Sequence, residues 1–112
     1  MTRGSIKEVD DGRFIYQYYD VLQPDSHMTV LQSAGFQGGG YTWEGIVYGL
    51  LKLRSSETIS LVQFDAEGEG LAIWSRRRDA LETISKLVSE AKTDCALLSQ
   101  AIGAAERDRR ME

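Results

Sequence analysis

An apolar stripe at helical spacing constrains this chain more than any other feature of its sequence. The stripe consists of Trp43, Ile46, Val47, Leu50 and Leu51. Positions that recur every three or four residues predict a helix over residues 43–54 with one buried face. Gly45 and Gly49 lie one turn apart beside the stripe. Each costs about 1 kcal/mol relative to alanine inside a helix, so we expect another backbone to pack closely against them.

The approach to this helix contains three glycines at positions 38–40 and Tyr41, with Thr42 as the expected N-cap. Backbone amides at a helix N-terminus can hold a phosphate. The lysine and Ser/Thr of a phosphate loop are missing here, and Glu44 adds negative charge to the first turn. We therefore interpret the segment as a flexible or partner-facing loop, with Tyr41 as its exposed aromatic contact. Trp43 is expected to be a structural anchor in the core.

The first of two predicted β-hairpins precedes this helix. Its turn is Asp11-Gly12, two residue types that tolerate positive φ, and an aromatic-rich strand follows. Because side chains alternate along a strand, we expect Phe14, Tyr16 and Tyr18 to face the core.

The second predicted hairpin pairs residues 62–65 with residues 71–75, and Trp74 in its second strand is expected to be a structural anchor. The connecting segment carries the carboxylates of Asp65, Glu67 and Glu69. Their spacing does not match a Ca²⁺ loop. A solvated turn is the simplest interpretation, and an acidic surface that steers a basic partner is the functional one.

Helical patterns also mark residues 80–91 and 97–105, and a short helix is expected over residues 26–34. Residues 55–61 fit either another short helix or a loop. The order of elements predicts an α+β fold, in which an antiparallel sheet of about four strands from two hairpins is covered on one face by about four helices. A chain of 112 residues fits a single domain over residues 1–112, with a charged tail at 107–112 that we expect to fray.

Composition excludes several classes of function. A formal net charge of −4 disfavours nucleic acid, and no apolar stretch is long enough to span a membrane. With one cysteine, Cys95, and one histidine, His27, the chain can form no internal disulfide and offers no plausible zinc site. Cys95 is expected to pack among apolar neighbours, and the arginines at 76–78 to lie at a solvated helix end. We expect a cytoplasmic protein that is not an enzyme and needs no cofactor or metal.

The sequence also resembles a known family. The matching features are Gly-Tyr-Thr-Trp-Glu-Gly at residues 40–45, Phe-Asp-Ala-Glu at 64–67, the strand that ends at Trp74-Ser75, and the acidic-aliphatic run at 79–82. Together they resemble the immunity protein 51 family of bacterial polymorphic toxin systems. The resemblance implies a small cytosolic protein that binds and neutralises a cognate protein toxin.

We expect inhibition by occlusion of the active or substrate-binding surface of the toxin. The expected contact residues are Gly39, Gly40, Tyr41, Glu44, Asp65, Glu67 and Glu69. The alternative is a small-ligand-binding protein or enzyme that uses the loop at residues 38–44 as its pocket. In either case we expect a monomer or a weak homodimer.

Overall fold

The computed structural model describes residues 5–9, 12–18, 40–65 and 70–108. The strands are β1 (Ser5–Glu8), β2 (Phe14–Tyr18), β3 (Val62–Phe64) and β4 (Leu71–Ser75). The helices are α1 (Gly40–Arg54), a 3-10 helix (Ser56–Leu61), α2 (Arg78–Thr93) and α3 (Cys95–Arg107). The short helix expected over residues 26–34 lies outside the described residues.

The four strands form one antiparallel sheet in the order β1-β2-β4-β3. Both predicted hairpins are confirmed, and pairs such as Tyr16↔Ile73 between β2 and β4 join them into a single sheet. In the first turn Gly12 has φ 80°, and the Val9 amide donates to the Arg13 carbonyl oxygen at 2.9 Å. The α+β fold expected from the sequence is therefore confirmed.

The inner face of the sheet packs against the helices. Tyr16, Leu71 and Ile73 are fully buried there. Phe14 is only partly buried and packs at the margin of the core, so its expected core position is confirmed in part. The side chain of Tyr18 lies outside the described residues. The core is thus centred on β2 and β4, the two strands that have neighbours on both sides.

Helix α1 begins at Gly40, two residues before its predicted N-cap. The assignment of Thr42 as the cap is therefore wrong, and Gly40 and Tyr41 belong to the first turn rather than to a loop. Thr42 and Trp43 are both fully buried, which indicates that tertiary packing of this turn outweighs the low helix propensity of glycine. The predicted stripe is confirmed, with each member at most 1% exposed.

The close approach predicted at the α1 glycines is confirmed at Gly49. A Cβ atom added there would lie 2.0 Å from the backbone oxygen of Ala101 in α3. Helix α3 packs mainly on α1 and less on α2, and both of those helices contact the sheet. The result is a sheet covered by two helices, with a third helix packed against them.

The 3-10 helix and the N-terminal cap of α3 complete the described secondary structure. Residues 56–61 form the 3-10 helix, so the helical interpretation of this segment is correct. The Asp94 carboxylate caps α3 by accepting hydrogen bonds from the amides of Ala96 and Leu97 at 3.0 and 3.1 Å. Within the described ranges, every helix is too short or too polar to cross a membrane.

Candidate functional site

The outer face of the sheet is the side opposite α1 and α2. Strand alternation gives this face Lys7, Arg13, Ile15, Gln17, Gln63, Asp65, Ala72 and Trp74. Ile15 is only 7% exposed, yet it lies outside the main core cluster. It pairs with Trp74 on β4, which pairs in turn with Gln63 on β3. A row of one buried apolar, one partly buried aromatic and one exposed polar side chain therefore crosses the sheet at the level of Trp74.

Trp74 is the central aromatic of this outer face and is partly buried. The Arg13 guanidinium carbon lies 5.0 Å from the centroid of the indole ring, within the range of a cation–π contact. The indole N–H of Trp74 donates a long hydrogen bond of 3.5 Å to Asp65 Oδ2. We call these three residues the Trp74 cluster. The structure thus places the two tryptophans differently, because Trp43 is fully buried in the core.

An open cleft of about 350 Å³ lies beside Trp74. Its lining consists of Arg13, Ser60, Leu61, Val62, Gln63, Trp74, Ser75 and Arg76. The Ser75 hydroxyl at its base donates to the Leu61 carbonyl oxygen at 2.8 Å and accepts from the Arg77 amide at 3.0 Å. These bonds tie the 3-10 helix and the residue before α2 to β4, so the side of the cleft formed by Ser60 and Leu61 is fixed to the sheet.

The three consecutive arginines have different surroundings. Arg76 lines the cleft, Arg77 forms a 2.8 Å ion pair with Asp79, and Arg78 stacks 5.9 Å from the Phe14 ring centroid. The hydrogen bond from Arg77 lowers the pKa of Asp79 below its ordinary value. All three arginines are exposed, but only Arg76 faces the cleft beside the Trp74 cluster.

The expected contact residues divide into two groups. Gly40, Tyr41 and Glu44 lie in the first turns of α1, and Asp65 follows β3. The side chain of Tyr41 is not among those described. Gly39, Glu67 and Glu69 lie outside the described residues.

The connections between elements place these two groups toward the same end of the sheet. Helix α2 begins soon after Ser75 and runs back along the sheet, and near its end the Lys92 ammonium lies 5.5 Å from the Trp43 ring centroid. The start of α1 therefore lies toward the end of the sheet away from Ser75. Asp65 lies at that end too, where its amide donates to the Ala72 carbonyl oxygen at 2.8 Å.

The described part of the chain holds no group of three or more His, Cys, Asp or Glu side chains that could bind a metal ion. Cys95 is exposed, so its expected packing role is wrong. The reason is its position as the first residue of α3, two residues before the apolar face begins at Leu97, so it lies on the opposite side of the helix from that face. His27 is not among the described residues.

Sequence reasoning missed the contributions of Arg13 and Arg76. Alternation along β2 was the available signal for Arg13, because it places this residue on the same face as Ile15. The stacking of Arg13 on Trp74 also depends on the pairing of β2 with β4. The sequence around the three arginines at 76–78 contains no signal that distinguishes Arg76 from Arg77 and Arg78.

Comparison with known proteins gives one match. The family model described as Immunity protein 51 matches residues 12–107, which cover strands β2, β3 and β4 and all the described helices. Searches of curated proteins and of solved structures find no significant match. The matched range includes the Trp74 cluster and all the cleft-lining residues named above, along with the α1 stripe. On this match the chain belongs to the Immunity protein 51 family, and its role is that of an immunity protein against a toxin.

Proposed function

We propose that the chain neutralises its toxin by direct binding, with the outer face of the sheet around the Trp74 cluster as the contact surface. Bound there, it occludes the active or substrate-binding surface of the toxin. The observation that carries this proposal is the partly exposed Trp74, held between Arg13 and Asp65 on a central strand.

The composition of the cluster supports a role in protein binding. Tryptophan and arginine are enriched among residues that dominate the binding energy of interfaces. The cation–π contact and the hydrogen bond restrict the Trp74 side chain before any partner arrives, so less conformational entropy is lost on binding. Because β4 lies between β2 and β3, the backbone beneath the ring is also fixed.

Charge gives the second line of support. The chain has a formal net charge of −4, and Glu67 and Glu69 follow Asp65, a member of the Trp74 cluster, closely in sequence. We propose that this segment contacts a basic part of the toxin and accelerates association. We also propose Gly40, Tyr41 and Glu44 at the start of α1, and Gly39 before them in sequence, as contacts at the end of the sheet where Asp65 lies.

The proposal is tested with Trp74→Ala and the cognate toxin domain. We expect the dissociation constant, measured by calorimetry, to rise about thirtyfold or more, as for a hot-spot residue. Inhibition of the toxin should weaken in parallel. Leu53→Ala is the matched control, because Leu53 is also an exposed apolar residue, 40% exposed, but lies on α1 away from the outer face.

The outcomes separate the parts of the proposal. Equal binding by Trp74→Ala and the wild type would exclude the Trp74 cluster as the contact surface. Toxin inhibition without any measurable complex would contradict direct binding itself. Circular dichroism of both variants establishes that they retain the fold.

A further inference from the structure

Strand β1 forms one margin of the described sheet and pairs with β2 on its inner side. The part of the chain that the structure describes places no strand against its other side. The Val9 amide donates to the Arg13 carbonyl oxygen, and hydrogen bonds between antiparallel strands recur at every second residue. Lys7 therefore bonds to β2, whereas the backbone N–H and C=O groups of Ile6 and Glu8 point away from it. These groups form an open edge that can pair with another strand.

The surroundings of this edge leave room for a second copy of the chain. Ser5, Lys7 and Glu8 are exposed, and Ile6 is partly buried where it packs against the core. Helix α2 contacts β1, β2 and β4, so it lies above the middle of these three strands rather than above the edge. Its symmetric copy across the edge would lie about 14 Å away, which is three strand spacings of about 4.8 Å. Packed helices approach to roughly 8–10 Å, so the two copies of α2 would not clash.

The charges of β1 restrict how two copies can pair. Three symmetric antiparallel registers bond the outward-pointing groups to each other, and they are centred on Ile6, Lys7 or Glu8. The registers centred on Lys7 and on Glu8 place like charges directly opposite each other, which destabilises a sheet. Charged residues on edge strands commonly prevent unwanted pairing in this way. The register centred on Ile6 instead joins two apolar side chains and places Lys7 opposite the neutral Ser5.

We propose that the chain forms a homodimer through β1, with Ile6 of each copy opposite Ile6 of the other. Two four-stranded sheets then join into one sheet of eight strands. Directly opposite residues share a face of a sheet, so the helices of both copies lie on one side and both outer faces lie on the other. The dimer therefore presents two Trp74 clusters on the same side. Because β1 has four residues, the contact is small and the dimer forms only at high concentration.

Sedimentation equilibrium of the full chain at increasing concentration tests the dimer. We expect the average mass of the wild type to rise toward that of two chains. Ile6→Lys should raise the dimer dissociation constant about tenfold or more, because it places like charges opposite each other. Ile59→Lys is the matched control, since Ile59 is also partly buried at the margin of the core but lies in the 3-10 helix. Circular dichroism of both variants establishes that they are folded.

A wild type that stays monomeric at every concentration would overturn the proposal. If Ile6→Lys then weakened toxin binding more than Ile59→Lys, the edge would belong to a strand of the toxin instead. The proposed contact through the outer face is tested separately, because Trp74 lies two strands away from this edge.

Disulfide cross-linking tests the register without disturbing Ile6. Ser5→Cys and Lys7→Cys are made in separate chains that also carry Cys95→Ser. In the proposed register these two positions form a non-hydrogen-bonded pair, whose Cα atoms lie about 4.5 Å apart and within reach of a disulfide. We expect the mixed variants to cross-link faster than either variant alone. Faster cross-linking of Lys7→Cys to itself would mean that the pairing is centred on Lys7 and would contradict the proposed register.

Discussion

Asp108 connects the end of α3 to α1 through two side chains. The Tyr48 hydroxyl donates a short hydrogen bond to Asp108 Oδ2, and the Lys52 ammonium lies 3.6 Å from the same oxygen. The pKa of Asp108 is lowered below its ordinary value, chiefly by the Tyr48 hydrogen bond and secondarily by Lys52. At the scale of single residues, this is the clearest link in the described structure between ionisation and folding.

The sign of the resulting pH dependence follows from that shift. An unfolded aspartate titrates near a pH of about 3.9, whereas folded Asp108 releases its proton at a lower pH. The ionised carboxylate therefore stabilises the fold above the unfolded pKa, and this contribution is lost as pH falls through the folded pKa. We expect Tyr48→Phe to raise the pKa of Asp108 and to lower the melting temperature at neutral pH more than at about pH 2.

Carboxyl NMR titration of Asp108 checks this prediction directly. Lys52→Met is the control, and it should produce a smaller pKa change because Lys52 contributes less to the shift. An Asp108 pKa that is the same in Tyr48→Phe and in the wild type would show that the hydroxyl does not stabilise the carboxylate.

At the scale of elements, the packing of α1 on α3 depends on the absence of a side chain at Gly49 in α1. Glycine inside a helix costs about 1 kcal/mol relative to alanine, so alanine at position 49 would stabilise an isolated helix. In the folded chain its Cβ would lie 2.0 Å from the Ala101 backbone oxygen, and backbone cannot move aside as a flexible side chain can. The steric cost exceeds the gain in propensity.

We therefore expect Gly49→Ala to lower the free energy of unfolding by about 2 kcal/mol or more, as measured by urea denaturation. Gly103→Ala on α3 is the matched control, because a Cβ there meets nothing within 4 Å. That variant should be neutral or more stable by up to about 1 kcal/mol. Equal stability of the two variants would mean that α1 and α3 are not in close backbone contact.

The contact between α1 and α3 also shows which features of a helix can be predicted from its own sequence. The spacing of Leu50 and Leu51 indicated the buried face of α1, and Gly49 indicated a close approach, because both signals are local. The start of α1 at Gly40 was not predictable in the same way. It depends on burial of Thr42 and Trp43 against parts of the chain that are distant in sequence.

At the scale of the whole molecule, the pairing of β2 with β4 determines where the candidate site lies. Each hairpin was predictable from its own turn residues and alternation. The two hairpins pair with each other only when the long segment that separates them in sequence is closed into a loop. The stacking of Arg13 on Trp74 depends on that pairing. For this reason the sequence indicated Asp65 as a candidate contact but did not reveal its neighbours in the Trp74 cluster.

The chain contains two tryptophans in contrasting environments, and this provides the most direct test of the proposed interface. Trp43 is fully buried, whereas Trp74 is partly exposed on the outer face. In a ¹⁵N-labelled sample each gives its own indole N–H signal, and Trp74→Phe assigns the pair. We expect unlabelled toxin to shift or broaden the Trp74 signal and to leave that of Trp43 nearly unchanged. A stable inhibitory complex with an unperturbed Trp74 signal would contradict binding through the outer face of the sheet.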